Sequence, residues 1–157
     1  MLALLFNMNS LWEEYILARL KEEETKNLKV FGQNDKYFWN GITIRPDIII
    51  EKKQGASKET FVIDTKWKKI DNAKPSTNDL RQMYVYNDYW QATKAILLYP
   101  SSSEDFGKFI AYESIESLAP QQTCALSKIT IFKPEEDRLD PFIGNKILRF
   151  IKASQPH

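Results

Sequence analysis

Charged side chains lie within or beside strongly apolar segments at two places in the sequence. Asp64 and Lys66 belong to residues 61–67, where a two-residue spacing puts both side chains on one face of a strand. Asp47 directly precedes three consecutive isoleucines. A buried carboxylate is costly unless a cation or a hydrogen-bond donor compensates it. The sequence therefore predicts that these carboxylates have a partner.

Two carboxylates and a lysine could hydrolyse a phosphodiester. Carboxylate oxygens bind hard ions such as Mg²⁺, and a bound ion polarises a phosphate and activates water. One strand, one turn and one strand separate Asp47 from Asp64, so a hairpin would bring them together. The alternative is that Asp47 ends a turn while Asp64 and Lys66 form a structural salt bridge.

Apolar periodicity predicts the elements that would position these residues. The helices are predicted at about residues 9–26, 79–90 and 141–153, and the strands at residues 28–32, 36–40, 42–51, 60–67, 95–99, 108–112 and 127–132. The first two strands are expected to form a hairpin, and the next two, over about 42–67, a central antiparallel pair. The second helix then delivers a parallel strand. The pattern predicts one mixed α/β domain.

Polar residues at the starts of two helices are predicted to cap them. Asn9 or Ser10 would cap the first helix, and Thr77 or Asn78 the second. With that start, the glutamates at positions 13 and 14 fall in the first turn, where negative charge is favourable.

The composition is that of a folded, water-soluble domain. The 157 residues are 43% hydrophobic and 27% charged, with a net charge of +1 and a mean hydropathy of −0.46. No apolar run reaches the roughly 18 residues of a membrane span. Cys124 is the only cysteine, which excludes a disulfide framework or a cysteine-bound cluster. Residues 1–6 are too short for a secretory signal, so a cytoplasmic location without membrane contact is expected.

Gln82 and Tyr86 lie four residues apart and therefore on one face of their helix. The order of the motifs P-D, D-T-K and Q-x-x-x-Y resembles the PD-(D/E)xK nucleases, and within them the RecB-like group. The strings FNMNSLWEEY, IRPDI, IDTKWK and LLYP are further similar to the McrC nuclease subunit of the McrBC modified-cytosine restriction system. This resemblance spans roughly residues 6–100, and the remainder matches only in general character.

The resemblance implies a restriction-endonuclease-like α/β core of the order αβββαβ, with a central mixed sheet flanked by helices. It implies a single PD-(D/E)xK nuclease domain over residues 1–157 that cleaves DNA with Mg²⁺, for which Mn²⁺ can substitute. Asp47 and Asp64 would bind the metal with the backbone carbonyl of Thr65, and Lys66 would position the attacking water.

The resemblance also implies a further acidic residue on the first helix. Many PD-(D/E)xK enzymes complete the metal site in this way, and Glu14 is the expected residue here. Its neighbour Glu13 is the alternative. Either glutamate could instead provide only favourable charge near the helix start.

Other residues are expected to contact DNA. Gln82 and Tyr86 would line the cleft, touch the DNA backbone or hold the lysine, although Tyr86 could equally be a core aromatic. Phosphate contacts are expected from four basic residues, Arg45, Lys68, Lys69 and Arg81. For the lysines, the alternative is a solvated strand end.

The expected partners are DNA and an McrB-like GTPase motor. The family's subunit is longer at its amino end, where a separate domain engages the McrB ring, and the resemblance covers only the nuclease domain. With a net charge of +1, the chain alone is expected to bind DNA weakly and in a salt-sensitive way. The oligomeric state is not predicted.

Two alternative functions remain at this stage. One is a RecB-like repair nuclease, although Cas4-type members of that group bind an iron-sulfur cluster with four cysteines and this chain has one. The other is a truncated, non-catalytic nuclease fold that serves as an interaction module.

Overall fold

The chain forms a mixed sheet with helices on both faces, in a computed structural model that describes residues 7–68, 70, 74–113 and 121–153. In chain order the elements are α1 (Met8–Lys21), β1 (Leu28–Gly32), β2 (Lys36–Trp39), β3 (Ile42–Ile44), β4 (Ile48–Gln54), β5 (Ser57–Thr65), α2 (Thr77–Trp90), β6 (Lys94–Pro100), β7 (Ile110–Ala111), β8 (Thr123–Ile129) and α3 (Ile143–Ala153). Among these described elements, no helix is long and apolar enough to cross a membrane.

Six strands form the main sheet in the order β1-β4-β5-β6-β8-β7. Strands β4 and β5 are an antiparallel hairpin, and α2 carries the chain from β5 to the parallel strand β6. Strand β8 is parallel to β6, whereas β1 and β7 are antiparallel edge strands. The predicted mixed α/β architecture with a central mixed sheet flanked by helices is confirmed.

The two faces of the sheet bury separate hydrophobic clusters because side chains alternate along each strand. Helices α1 and α3 cover one face, where Trp12, Ile16 and Ile147 pack against alternate residues of the sheet. Helix α2 covers the other face through Met83 and other buried residues. The continuous apolar runs of β4, β5 and β6 follow from this arrangement, since a strand covered on both faces has no polar side.

The predicted hairpin of the first two strands is wrong. Strand β1 pairs with β4, with Val30 opposite Ile50, while β2 pairs with β3 in a separate two-stranded ribbon. Leu28 and Val30 are buried, whereas every residue of β2 is exposed. Burial of the apolar face of β1 therefore outweighed the local turn signal between the two strands.

The strand predicted at 42–51 is two strands. The chain leaves β3 after Ile44 and enters β4 at Ile48, and Pro46 lies between them without a backbone N–H for a sheet hydrogen bond. The predicted strand at 108–112 is reduced to the two residues of β7. The strand predicted at 127–132 lies at Thr123–Ile129, because small buried residues such as Ala125 extend its parallel pairing with β6.

The helix caps and ends also differ from the sequence predictions. Asn7 caps α1 by accepting a hydrogen bond from the N–H of Ser10, and Ser76 caps α2 by accepting one from Asp79. Residues 13 and 14 therefore lie beyond the first turn of α1. This helix ends at Lys21 rather than residue 26, and α3 begins at Ile143 rather than residue 141.

Helices α1 and α3 cross closely at Gly144. A Cβ at this position would clash with the carbonyl oxygen of Arg19 and would lie 2.8 Å from its carbonyl carbon. Both atoms belong to the backbone, so neither can rotate away.

Gly144→Ala is expected to destabilise the protein by roughly 1–3 kcal/mol or more, because the added methyl group forces the helices apart. Without this contact, alanine would stabilise the helix by about 1 kcal/mol relative to glycine. Urea denaturation measures the difference, and Arg149→Ala, an exposed change in the same helix, is the control. A variant as stable as the unmodified chain would contradict the close crossing.

Candidate active site

Asp64 and Lys66 lie at the carboxyl end of the central strand β5. Asp64 is 3% exposed, and its Oδ2 is 2.7 Å from the Nζ of Lys66. The backbone N–H of Lys66 continues the pairing with β6 by donating to the carbonyl of Leu98. The strand thus holds a buried carboxylate and its lysine partner at its end.

Asp47 reaches the same strand end from the start of β4. Its Oδ2 accepts two hydrogen bonds from Thr65, one from the backbone N–H at 2.6 Å and one from the hydroxyl at 2.8 Å. The β4–β5 hairpin therefore brings the Asp47 carboxylate beside Asp64. Thr65 contacts Asp47 through its two hydrogen-bond donors, the backbone N–H and the hydroxyl. Metal binding by the carbonyl of Thr65 stays a prediction.

Helix α2 provides a further hydrogen-bond acceptor for Lys66. Lys66 Nζ donates to Gln82 Oε1 at 3.2 Å, and Gln82 Nε2 donates to the Tyr86 hydroxyl at 2.8 Å. Tyr86 in turn donates to the carbonyl of Arg45 at 2.9 Å, two residues before Asp47. The four-residue spacing of Gln82 and Tyr86 matters because it aligns this chain of hydrogen bonds. Tyr86 also belongs to the buried hydrophobic cluster under α2.

Asp79 joins this cluster, although the sequence analysis assigned it no role. Its Oδ1 is 3.6 Å from Lys66 Nζ, and its Oδ2 is 3.3 Å from Lys68 Nζ. Because Asp79 precedes Gln82 by three residues, it lies on the same helix face. That spacing was the available signal. Burial opposes its charge, but the hydrogen bond from Ser76 and the two lysines hold the pKa of Asp79 below its usual range.

Burial and a neighbouring negative charge act together on Asp64. Desolvation is the larger cause and the charge of Asp47 the next, and they raise the pKa of Asp64 to about 6 although Lys66 opposes the shift. Burial alone would lower the pKa of Lys66, but the surrounding aspartates raise it above its ordinary value. Lys66 is therefore a charged ammonium at neutral pH.

Glu13, the alternative to the expected Glu14, lies within electrostatic reach of the aspartates. Glu13 is half-buried, and its pKa is raised by burial and by the charges of Asp47 and Asp64, against a lowering effect of Arg45. Glu14 is exposed. The preference for Glu14 is therefore not supported by the geometry, because the helix phase turns its neighbour towards the site.

The predicted DNA-contacting residues are placed unevenly. Lys68 lies at the site and pairs with Asp79. Arg45 is exposed beside the site, with its guanidinium Nε 3.8 Å from an oxygen of Asp35, and Arg81 is exposed on α2. Lys69 lies outside the described residues.

The carboxylates match a hard cation in chemistry, although they are not already arranged around one. Across residues 7–68, 70, 74–113 and 121–153, no three acidic, histidine or cysteine side chains form a ready metal-binding group. The charge of Asp47 raises the pKa of Asp64, and both aspartates raise the pKa of Glu13. A cation placed among these oxygens would relieve their repulsion, and oxygen donors are those that Mg²⁺ prefers.

These features define an α/β protein with an acidic, lysine-containing site at the ends of its central strands. A family model described as "McrBC 5-methylcytosine restriction system component" matches residues 1–100. The chain belongs to this family, and the membership predicted from its resemblance to McrC is confirmed. No match is found among curated proteins.

The fold is similar to that of a chain in a solved assembly of Thermococcus gammatolerans, the refined half-complex of McrB AAA+ hexamers with bound McrC. The TM-score is 0.64 at 17% sequence identity, and the match covers 93% of this chain. It covers 33% of the other chain, so the present protein spans about a third of that length. At this identity the likeness shows the fold alone.

Asp64→Asn is expected to stabilise the metal-free protein at pH 7 by about 1–3 kcal/mol and to give no gain near pH 4. The pKa of Asp64 is raised from 3.8 to about 6 in the folded state, so the unmodified protein loses stability as the pH rises through that interval. Above it, the loss is complete. The upper figure follows from the pKa shift, and the lost contact with Lys66 reduces it.

Denaturation in EDTA between pH 4 and pH 8 tests this expectation, with the exposed Asp88→Asn as control. Mg²⁺ should then raise the melting temperature of the unmodified chain and not that of Asp64→Asn, because binding to the folded state stabilises it. A gain that is the same at both ends of the pH range would contradict the assigned pKa.

Proposed function

We propose that this chain is a metal-dependent DNA endonuclease domain of the PD-(D/E)xK class, and the cleaving component of a modified-cytosine restriction system. The observation that carries the proposal is the placement of Asp47, Asp64 and Lys66 at one strand end in a member of the McrBC family. The succession α1, β1, β4, β5, α2 and β6 supports it, since it follows the αβββαβ order that this class implies.

In this proposal the aspartates would hold Mg²⁺, with the carbonyl of Thr65 as a further donor and Mn²⁺ as a substitute. When bound, the ion would supply Lewis acidity to the scissile phosphate and would lower the pKa of a water molecule. Lys66 orients the attacking water and stabilises developing negative charge. Gln82 and Tyr86 are positioning residues, because they fix the ammonium through its other hydrogen bond.

Glu13 takes the place of Glu14 as the helix-borne acidic residue of the site. Its half-buried position and its electrostatic coupling to both aspartates support this choice. Lys68, Arg45 and Arg81 contact DNA phosphates, as would Lys69.

The raised pKa of Asp64 argues against a purely structural ion pair. A salt bridge that served stability would lower the pKa of its carboxyl group, whereas here burial and crowding raise it to about 6. Perturbed groups of this kind are typical of functional sites. The non-catalytic module therefore has less support, and the family match favours restriction over a RecB-like repair role.

An McrB-like GTPase is the proposed motor partner, because the assembly with a similar fold contains McrB hexamers with bound McrC. The net charge of +1 gives this chain little non-specific affinity for DNA. We therefore assign selection of modified DNA and translocation to the partner. The proposed location of the complex is the cytoplasm.

The proposal predicts nicking of plasmid DNA that requires Mg²⁺ or Mn²⁺ and stops in EDTA. Asp64→Asn and Lys66→Ala should each reduce the rate roughly 100-fold or more, because each removes a group that acts on the reacting atoms. Asp88→Asn is the matched control on the exposed side of α2. Agarose-gel quantification of supercoiled and nicked plasmid gives the rates.

Methylated and unmethylated plasmids should be cut equally and feebly by the chain alone, and faster when an McrB-like protein and GTP are added. Cleavage that survives Asp64→Asn would refute the catalytic assignment. Strong methylation-selective cutting by the isolated chain would refute the separate reader.

The two neighbouring glutamates provide an internal comparison. Glu13→Gln should reduce cleavage at limiting Mg²⁺ at least roughly tenfold and raise the Mg²⁺ concentration needed for half-maximal rate, because it removes a charge near both aspartates. Glu14→Gln should leave both values unchanged. The opposite ranking in a Mg²⁺ titration of the cleavage rate would restore Glu14.

A further inference from the structure

A cavity of about 470 Å³ adjoins the candidate active site at the carboxyl ends of β5, β6 and β8. Trp67 and Lys68, which line it, directly follow Lys66 in the chain. We call it the strand-end cavity. Ligands of open α/β sheets characteristically bind outside the carboxyl ends of the strands, and this volume falls within the roughly 300–1,000 Å³ of small-ligand sites.

Two aromatic residues that line the strand-end cavity are partly open to solvent. Phe132 is 55% exposed and Trp67 is 36% exposed. Trp67 is held in place by two contacts. Its ring packs edge-on against Trp12, with the ring centroids 6.0 Å apart, and its backbone N–H donates to the side-chain oxygen of Asn9. A fixed, partly open aromatic ring is a stacking surface for a nucleic-acid base.

The polar groups of the strand-end cavity suit an anion. Its lining includes Lys68 and Lys128 and the residues Ser101 and Ser102, and the described lining residues include no acidic side chain. Asp79 contacts Lys68 from α2 and is outside the lining. An aromatic surface next to lysines and hydroxyl groups matches a ligand with a flat base and a phosphate.

We propose that the strand-end cavity receives one nucleotide of the DNA strand adjacent to the scissile phosphate. The base stacks on Trp67 and Phe132, and its phosphate lies at Lys68 and Lys128. This inference rests on the proposed function and names the part of the substrate that the site holds. Because a paired base must leave its stack to enter a cavity, DNA with an unpaired nucleotide beside the cut is the better substrate.

The test uses the 157-residue chain and a single-stranded oligonucleotide that contains 2-aminopurine, in EDTA so that no cleavage occurs. The fluorescence of 2-aminopurine reports stacking of that base. Phe132→Ala and Lys128→Ala should each raise the Kd roughly fivefold or more, and Phe132→Ala should also remove the fluorescence change. Lys128→Ala should reduce the magnitude of the negative slope of log K against log salt concentration by roughly 0.7, since one phosphate contact is lost.

Matched controls come from the same region of the chain. Leu139 is 53% exposed and bridges the backbone of Phe132 without lining the cavity, and Lys133 is a lysine outside it. Leu139→Ala and Lys133→Ala should change the Kd less than about twofold, and equal melting temperatures would show that the variants are folded. Test variants that bind as tightly as these controls would overturn the proposal.

A free mononucleotide is the competing source of the same chemistry. Deoxycytidine monophosphate, titrated against the tryptophan fluorescence, should bind much more weakly than the oligonucleotide. If it binds equally well and Phe132→Ala leaves plasmid cleavage unchanged, the strand-end cavity does not serve the DNA substrate. Failure of the nuclease assignment would give a different result. No cleavage that depends on Asp64 would be observed, but Phe132→Ala and Lys128→Ala would still weaken binding of the oligonucleotide relative to the controls.

Discussion

Burial of the Asp64 carboxylate at the end of the central strand is the constraint on which the site depends. The carboxylate forms an ion pair with Lys66. Burial also removes water from the Lys66 ammonium group, which therefore needs a further hydrogen-bond acceptor. Gln82 supplies that acceptor, and Tyr86 fixes Gln82. Tyr86 then donates to the segment that leads into β4, where Asp47 begins its approach to the same strand end. The contacts form a closed circuit of ion pairs and hydrogen bonds through β5, α2 and the segment that leads into β4.

The crowding of Asp47 and Asp64 lowers the stability of the folded, metal-free protein. The aspartates are close enough for Asp47 to raise the pKa of Asp64, and the shift would be larger without the nearby ammonium. Cores without such a carboxylate are easier to stabilise. The circuit keeps the crowded groups in place because α2 and the β4–β5 hairpin are anchored in the core by buried apolar residues such as Met83 and Ile49.

The sequence predicted the centre of the fold better than its edges. Continuous apolar runs leave few arrangements other than a hairpin followed by a crossover helix and a parallel strand, and β4, β5, α2 and β6 follow that scheme. The pairing of β1 was missed because a local turn signal competes with the distant burial of Val30, which only the three-dimensional core decides. The motifs at Asp64 and Gln82 were readable because they obey strand and helix periods.

Helix phase explains why Glu13, and not the expected Glu14, is half-buried near the aspartates. Adjacent residues on a helix point about 100° apart, so the facing glutamate depends on how α1 seats on the sheet. Trp12, Ile16 and Leu20 are the buried residues of α1, and they fix that seating. Their spacing was visible in the sequence, but the direction of the site relative to their stripe was not. The sequence alone therefore provided no basis for proposing Glu13 over Glu14.

The short segment after β5 links the two functions proposed for this protein. Lys66 contacts Asp64 and Asp79, whereas Trp67, the next residue in the chain, packs on Trp12 of α1. Trp67 and Lys68 both line the strand-end cavity. In the proposed complex, Lys66 would act at the scissile phosphate, while Trp67 and Lys68 would contact the base and the phosphate of the adjacent nucleotide. Because these residues are consecutive in the chain, placing Lys66 at the reacting phosphate also places the neighbouring nucleotide beside Trp67.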